Sequence, residues 1–228
     1  MSISSSIICQ LTEYFDIIDD NYRFKGGKSM RNLILYFLIL SAMSLIVAAL
    51  QWSVWLLTPI PAAFIVFEVG YAIYIRYFAK DLIRIERYLK ASPNNPEHYY
   101  ALSLKYGTKD DQLEALNRLL GHAKEGQSAY YKAMRAIKMG NYLVARQEAQ
   151  LIAKWETKQY VLALIAAYEG EQYEAAQYVL AKEWMQSSIE AVLALQADDT
   201  SYFAQAKSSS VKESTGIQRF INAWYFEK

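Results

Sequence analysis

Hydrophobic positions change their spacing three times along the chain. Between Ser6 and Phe24, Ile7, Leu11, Tyr14, Phe15, Ile18 and Tyr22 recur every three or four residues. That stripe predicts an amphipathic helix, which Gly26-Gly27 then breaks. From Asn32 through Phe67 there is no Asp, Glu, Lys, Arg or His. A membrane-spanning helix needs about 20 apolar residues, so this stretch, continued across Glu68 to Ile75, has room for two. Gln51, Trp52 and Ser53, followed by Thr58, Pro59 and Pro61, supply a turn. The pattern therefore predicts spans near Asn32 to Leu50 and Pro59 to Tyr77, with Thr58 capping the second and Pro59 at its first position. From Asp81 to Lys90 the helix is expected to continue, with Leu82, Ile85 and Leu89 on one side and Arg84, Arg87 and Lys90 supplying charge.

Ser92-Pro93-Asn94-Asn95-Pro96 interrupts this pattern, because each proline disfavours helix at the residue before it. Beyond it the chain reads as short helices near 97–106, 110–122, 127–139, 142–156, 157–168, 172–182, 187–196 and 200–208. A last helix over 213–227, after Ser208-Ser209-Ser210, would lay Ile217, Phe220, Ile221 and Trp224 over the end of the stack, since an open solenoid needs a cap. The expected fold class is all-α: a transmembrane helical hairpin joined to an α-solenoid. Four segments follow, namely 1–31 (amphipathic helix and hinge), 32–79 (hairpin), 80–95 (juxtamembrane extension and linker) and 96–228 (repeat domain with its cap).

The last segment repeats itself. Ala115, Ala145 and Ala176 recur at intervals of roughly 30 residues, within the solenoid range, and Ala206 falls near the next expected position. Gly140-Asn141-Tyr142-Leu143-Val144-Ala145, and more loosely Gly170 to Ala176, resemble the tetratricopeptide-repeat (TPR) family across its inter-helix turn. The resemblance covers about Pro96 to Lys207, with repeats shorter than the usual length of about 34 residues. It implies helix-turn-helix pairs that bind a protein or peptide on a concave face, without catalysis.

Charge adds an orientation. Arg23, Lys25, Lys28 and Arg31 precede the first expected span, and Arg76, Lys80, Arg84, Arg87 and Lys90 follow the second. Both ends are thus expected at the cytoplasmic face of a membrane, a bacterial cell membrane on this compact layout. A cleaved signal peptide does not fit, because the leading segment is long and carries Glu13, Asp16, Asp19 and Asp20. The lone Cys9 suits a reducing compartment. The acidic polar face of the N-terminal helix suits docking on the basic segment after Asp81, and a loosely ordered arm is the alternative. A net charge of +1 argues against a polyanion-binding protein, so no nucleic-acid partner is expected.

Catalytic signatures are lacking. Gly27-Lys28-Ser29 ends like a phosphate-binding loop, but Tyr22 stands where the first glycine belongs. His98 and His122, with one cysteine, assemble no zinc pattern. No cofactor or metal is expected, and no enzymatic activity. Glu68 stands out because it lies inside an expected span, where an ionisable group is costly. Ser41 and Ser44 reach a comparable depth and could donate to it; pairing with a membrane partner and ion passage are the other readings. Tyr99, Tyr130, Tyr131, Arg135, Lys138 and Tyr160 are candidates for a partner-binding groove, since aromatics and Arg are common interface anchors; the same tyrosines could equally be core filling. The expected function is a membrane-anchored adaptor with a protein or peptide partner, another membrane protein being one candidate. The alternatives are an accessory subunit of a membrane complex, contacting its partner through the spans and Glu68, and a membrane-bound enzyme.

Overall fold

The computed structural model of the chain describes residues 59–226. Among them lie eleven α-helices: α1 (Pro59–Tyr77), α2 (Leu82–Ala91), α3 (Pro96–Tyr106), α4 (Lys109–His122), α5 (Glu125–Met139), α6 (Tyr142–Gln150), α7 (Trp155–Tyr168), α8 (Gln172–Ala175), α9 (Glu183–Gln196), α10 (Thr200–Glu213) and α11 (Gly216–Trp224). Two compact units divide the chain, Met1–Val69 and Gly70–Lys228. The described part of the first is the opening half of α1.

The transmembrane hairpin is the principal correction. Helix α1 forms over the expected limits, yet among the described residues no helix is long and apolar enough to cross a membrane. Its apolar run is interrupted by Glu68, which is exposed, and by Arg76. Its last turns serve as a packing surface inside the second unit, where Ile75 and Ala79 are fully buried. The expected two-span membrane location with both termini cytoplasmic loses its support for the same reason. The first expected span, its Ser41 and Ser44, the cap at Thr58 and the N-terminal amphipathic helix lie outside the described residues.

In the second unit the helices follow one another as antiparallel neighbours. Helix α3 packs on α4, α4 on α5, α5 on α6, and α6 on α7, while α9 joins α7 to α10. The central layer is α7, whose stretch from Val161 to Ala167 is buried on every side. Such an apolar run can only be satisfied by surrounding it with other helices. The array then closes. Helix α11 packs on α10, and also on α2 and α3 at the start of the unit. Ile75, Ala79, Ile85, Leu89, Ala101, Ile217 and Phe220 form a second core there, and Ile221 and Trp224 touch both cores. The four residues expected to cap an open stack therefore join its two ends.

Local chemistry explains the boundaries. Asp81 accepts hydrogen bonds from the backbone N–H groups of Ile83 and Arg84, which starts α2 as a separate helix where a continuation of α1 was expected. Asn95 caps α3 in the same way, with Pro96 at the first helical position. Thr108 and Asp111 form a reciprocal capping box on α4. Gly140 ends α5 in the left-handed conformation, φ 76°, and Asn141 caps α6 through the Val144 N–H. The alanine register is preserved too: Ala115 and Ala145 are fully buried and Ala206 nearly so, but in the third repeat Ala175 is buried where Ala176 was expected.

Five helices differ from expectation by four or more residues in length, α6, α8 and α11 being shorter and α9 and α10 longer. The 208–210 serine run is helical within α10, where Ser210 and Ser188 of α9 are both buried and share a hydrogen bond of 2.7 Å. Small hydroxyl side chains let the two helices approach while satisfying each other. Helix α8 is a single turn, after which the chain runs irregularly to Glu183.

A clip holds α11 in place. The Gly216 N–H donates to the Ala79 carbonyl at 2.8 Å and the Thr215 hydroxyl donates to the Tyr77 carbonyl at 2.6 Å. Gly216 has φ 62°, and a Cβ there would overlap the carbonyl of Arg76. Gly216→Ala is expected to cost about 2 to 3 kcal/mol, from overpacking together with the strained backbone. Urea unfolding checks it, and an unchanged midpoint would refute the clip.

Candidate functional site

Six tyrosines converge between α3, α5, α7 and the residue after α11. Tyr100, Tyr130, Tyr131, Tyr160 and Tyr168 pack against the main core while keeping some water access, and Tyr225 is buried among them. Tyr130 and Tyr131 meet edge to face with centroids 5.3 Å apart. Tyr168 stacks on Tyr142 at 6.2 Å. Burial raises the phenol pKa of every member, that of Tyr130 and of Tyr168 to about 12, so the hydroxyls remain protonated donors. This is a recessed aromatic face.

Beside it opens a cleft of about 650 Å³. Its walls come from the end of α1 (Arg76, Tyr77), the start of α3 (Glu97), the segment before α9 with Trp184, and the α10–α11 junction with Ile217 and Ile221. Glu97 accepts a hydrogen bond from the Arg76 guanidinium, and the pair are partly buried. Burial opposes the Arg76 charge most strongly, but the Glu97 carboxylate together with Tyr77 and Tyr88 outweighs it and holds the pKa up. Trp184 connects the cleft to the aromatic face, since its ring meets Tyr160 edge to face at 5.3 Å. Tyr131 connects it at the other side, because its hydroxyl lies in the field of both Glu97 and Arg76.

The predicted groove residues are brought together in part. Tyr130, Tyr131 and Tyr160 join the aromatic face. Lys138 reaches it as well, with its ammonium 5.4 Å from the Tyr225 ring centre. Arg135 lies on the same face of α5 as Tyr131, four residues earlier, and its Nε is buried without a hydrogen-bond partner. Tyr99 is elsewhere, covered by the Arg118 guanidinium at 4.2 Å. Arg76, Glu97 and Trp184 were not among the candidates. Arg76 and Glu97 are 21 residues apart, on either side of the Ser92 to Pro96 break, so nothing in their spacing signals the pair. Tyr225 was hidden in a helix read as a cap.

The two histidines are engaged locally. His98 is buried, with Nδ1 3.2 Å from the Ser92 carbonyl and its ring 5.1 Å from Tyr88. His122 Nδ1 is 2.9 Å from the Arg118 carbonyl, one turn back in its own helix. Among the described residues no three His, Cys, Asp or Glu side chains are placed to hold a metal ion. No family model matches the chain, and no curated protein and no solved structure matches it. The all-α packing is compatible with a helical-repeat domain, and no family match confirms the tetratricopeptide resemblance.

Proposed function

We propose that the unit from Gly70 onward is a protein-binding helical array, an adaptor that takes a segment of a partner into the cleft beside the aromatic face. The observation that carries this reading is the make-up of the cleft: an indole, a phenol and two isoleucines around a partly buried ion pair. Interface hot spots combine large aromatics with Arg in desolvated settings, where few rotatable bonds are frozen per area buried. A cleft of this size suits a few residues of an extended or helical peptide. Its side chains offer apolar contacts and hydrogen bonds.

Selection of peptides from a display library on the immobilised full chain, followed by affinity measurement, tests the proposal. Trp184→Ala is expected to weaken a selected peptide by about 2 kcal/mol, roughly 30-fold. Ala181→Trp, at an exposed position on the rim, should block the same peptide without touching the core. Unchanged affinity in both variants would sink the reading.

A further inference from the structure

One face of α5, which reaches Tyr225 through Lys138, carries two cations that make no ion pair among the described residues. Tyr131, Arg135 and Lys138 lie at four- and three-residue spacing, so they share one side of the helix. Arg135 makes no ion pair among the described residues, and its Nε–H is shut away from water with no acceptor. Buried donors are rarely left in this state in a native fold. Lys138 is partly buried as well, and its ammonium rests over the Tyr225 ring. The charge that acts on it is Lys109, of the same sign, at the first position of α4. Burial and that like charge both push the Lys138 pKa down. Asp111, the nearby carboxylate of α4, is turned into its own cap on Thr108.

Arg135 and Lys138 share one side of α5, Lys109 acts on Lys138 from α4, and none of the three makes an ion pair among the described residues. The cost of keeping two partly desolvated charges together is offset when an anion arrives. A carboxylate suits these groups: the outer guanidinium nitrogens of Arg135, which is half-buried as a residue, and the Lys138 ammonium would each donate a charge-assisted hydrogen bond to it. Phenol hydroxyls held protonated nearby add neutral donors and repel nothing.

We propose that Arg135 and Lys138, with Lys109 at the rim, form an anion subsite that receives an aspartate- or glutamate-bearing segment of the partner. It rests on the reading of this face as a protein-binding surface and adds the chemistry of the occupant. Along α5, Arg135 is one helical turn and Lys138 about two turns beyond Tyr131.

Fluorescence anisotropy of the full chain with a labelled six-glutamate peptide, a six-glutamine peptide and a neutral aromatic peptide separates the two claims. The expected result is binding of the glutamate peptide that falls as salt is raised. The glutamine peptide should bind at least about tenfold more weakly. Arg135→Gln and Lys138→Gln should each lower glutamate-peptide affinity about tenfold and leave the neutral aromatic peptide unaffected. Lys109→Gln, an exposed change that cannot disturb the core, should lower it by a smaller factor and guards against a folding artefact. Equal affinity for the glutamate and glutamine peptides, or full affinity in all three variants, overturns the anion subsite. If the aromatic peptide still binds and Trp184→Ala abolishes it, protein binding stands while the acidic preference fails. If no peptide binds at up to about 1 mM, both fall.

Discussion

Phe220→Ala is expected to lower the stability of the unit from Gly70 onward by about 3 to 5 kcal/mol, the usual cost of emptying a fully buried phenylalanine site. The reason lies in where the ring sits. Phe220 is completely buried in the core that links Ile75 of α1, Ala79 just beyond it, Ile85 and Leu89 on α2, Ala101 on α3 and Ile217 on its own helix. No other side chain can relax into the space easily, because Ile85, Leu89 and Ile75 are themselves fully enclosed. Its neighbours Ile221 and Trp224 reach into the main core, so the loss propagates to the contact that joins the first helices of the unit to the last. Lys105 also leans over this region, with its ammonium 4.6 Å from the Trp224 ring and 5.9 Å from Phe220. A domain of this size shifts its melting temperature by about 2 to 4 °C per kcal/mol. A drop of roughly 10 °C in a thermal melt is therefore the expected reading. Leu143→Ala, at an exposed position of α6, should leave the melt within a degree or so of wild type. If Phe220→Ala also melted unchanged, α11 would be an appendage and the closed array would be wrong.

How far the chain discloses this fold depends on the range of the interactions that set each part. Helices whose ends are written locally came through. Asn95-Pro96, Thr108 with Asp111, and Gly140-Asn141 are signals contained in three or four residues, and the helix ends they set lie within one or two residues of expectation. The same holds for the buried alanines of the repeat. Asp81 and Ser210 were misread for a common reason. An aspartate can be a surface residue or a cap, and a serine run can be a linker or a tight helix contact. Only the partner decides, and for Ser210 that partner is Ser188 on another helix. The cleft follows the same logic. Arg76, Glu97, Trp184 and Ile221 come from four separate places in the chain and meet only because α11 folds back on α2 and α3. The spacing of the groove candidates was informative for Tyr130, Tyr131, Arg135 and Lys138, which one helix carries. It failed for Tyr99, which a local arginine covers. The membrane reading weighed the lack of charges heavily. It gave too little weight to an exposed Glu68 and to an α1 C-terminus that buries Ile75 and Ala79 against other helices.

Mild acid should destabilise the protein through a single histidine. His98 is buried at the junction of α1, α2 and α3, and that burial, with the positive charge of Arg76 beside it, lowers its pKa from 6.5 to about 4 despite the Ser92 carbonyl. Around its ring stand Arg76 from α1 and Tyr88 from α2, with Glu97 adjacent in the chain and committed to Arg76. In the unfolded chain the imidazole takes up a proton near pH 6.5, whereas the folded form resists until about pH 4. Between those values the unfolded state therefore binds more protons, and stability rises with pH. The contribution is complete above pH 6.5 and is lost as pH falls through the window, to a total of about 3 kcal/mol. Carboxylates answer in a lower range. Glu86 is held to a pKa of about 2 by hydrogen bonds from Lys105, Lys90 and Tyr106, so what it adds is lost only as pH falls from about 4.5 toward 2. Urea unfolding of the full chain at pH 7, 5.5 and 4 resolves the two. Wild type should lose most of the histidine contribution by pH 4, and His98→Gln, neutral throughout, should show little change over the same interval. Parallel loss in both proteins would assign the acid sensitivity to the carboxylates and take His98 out of the account.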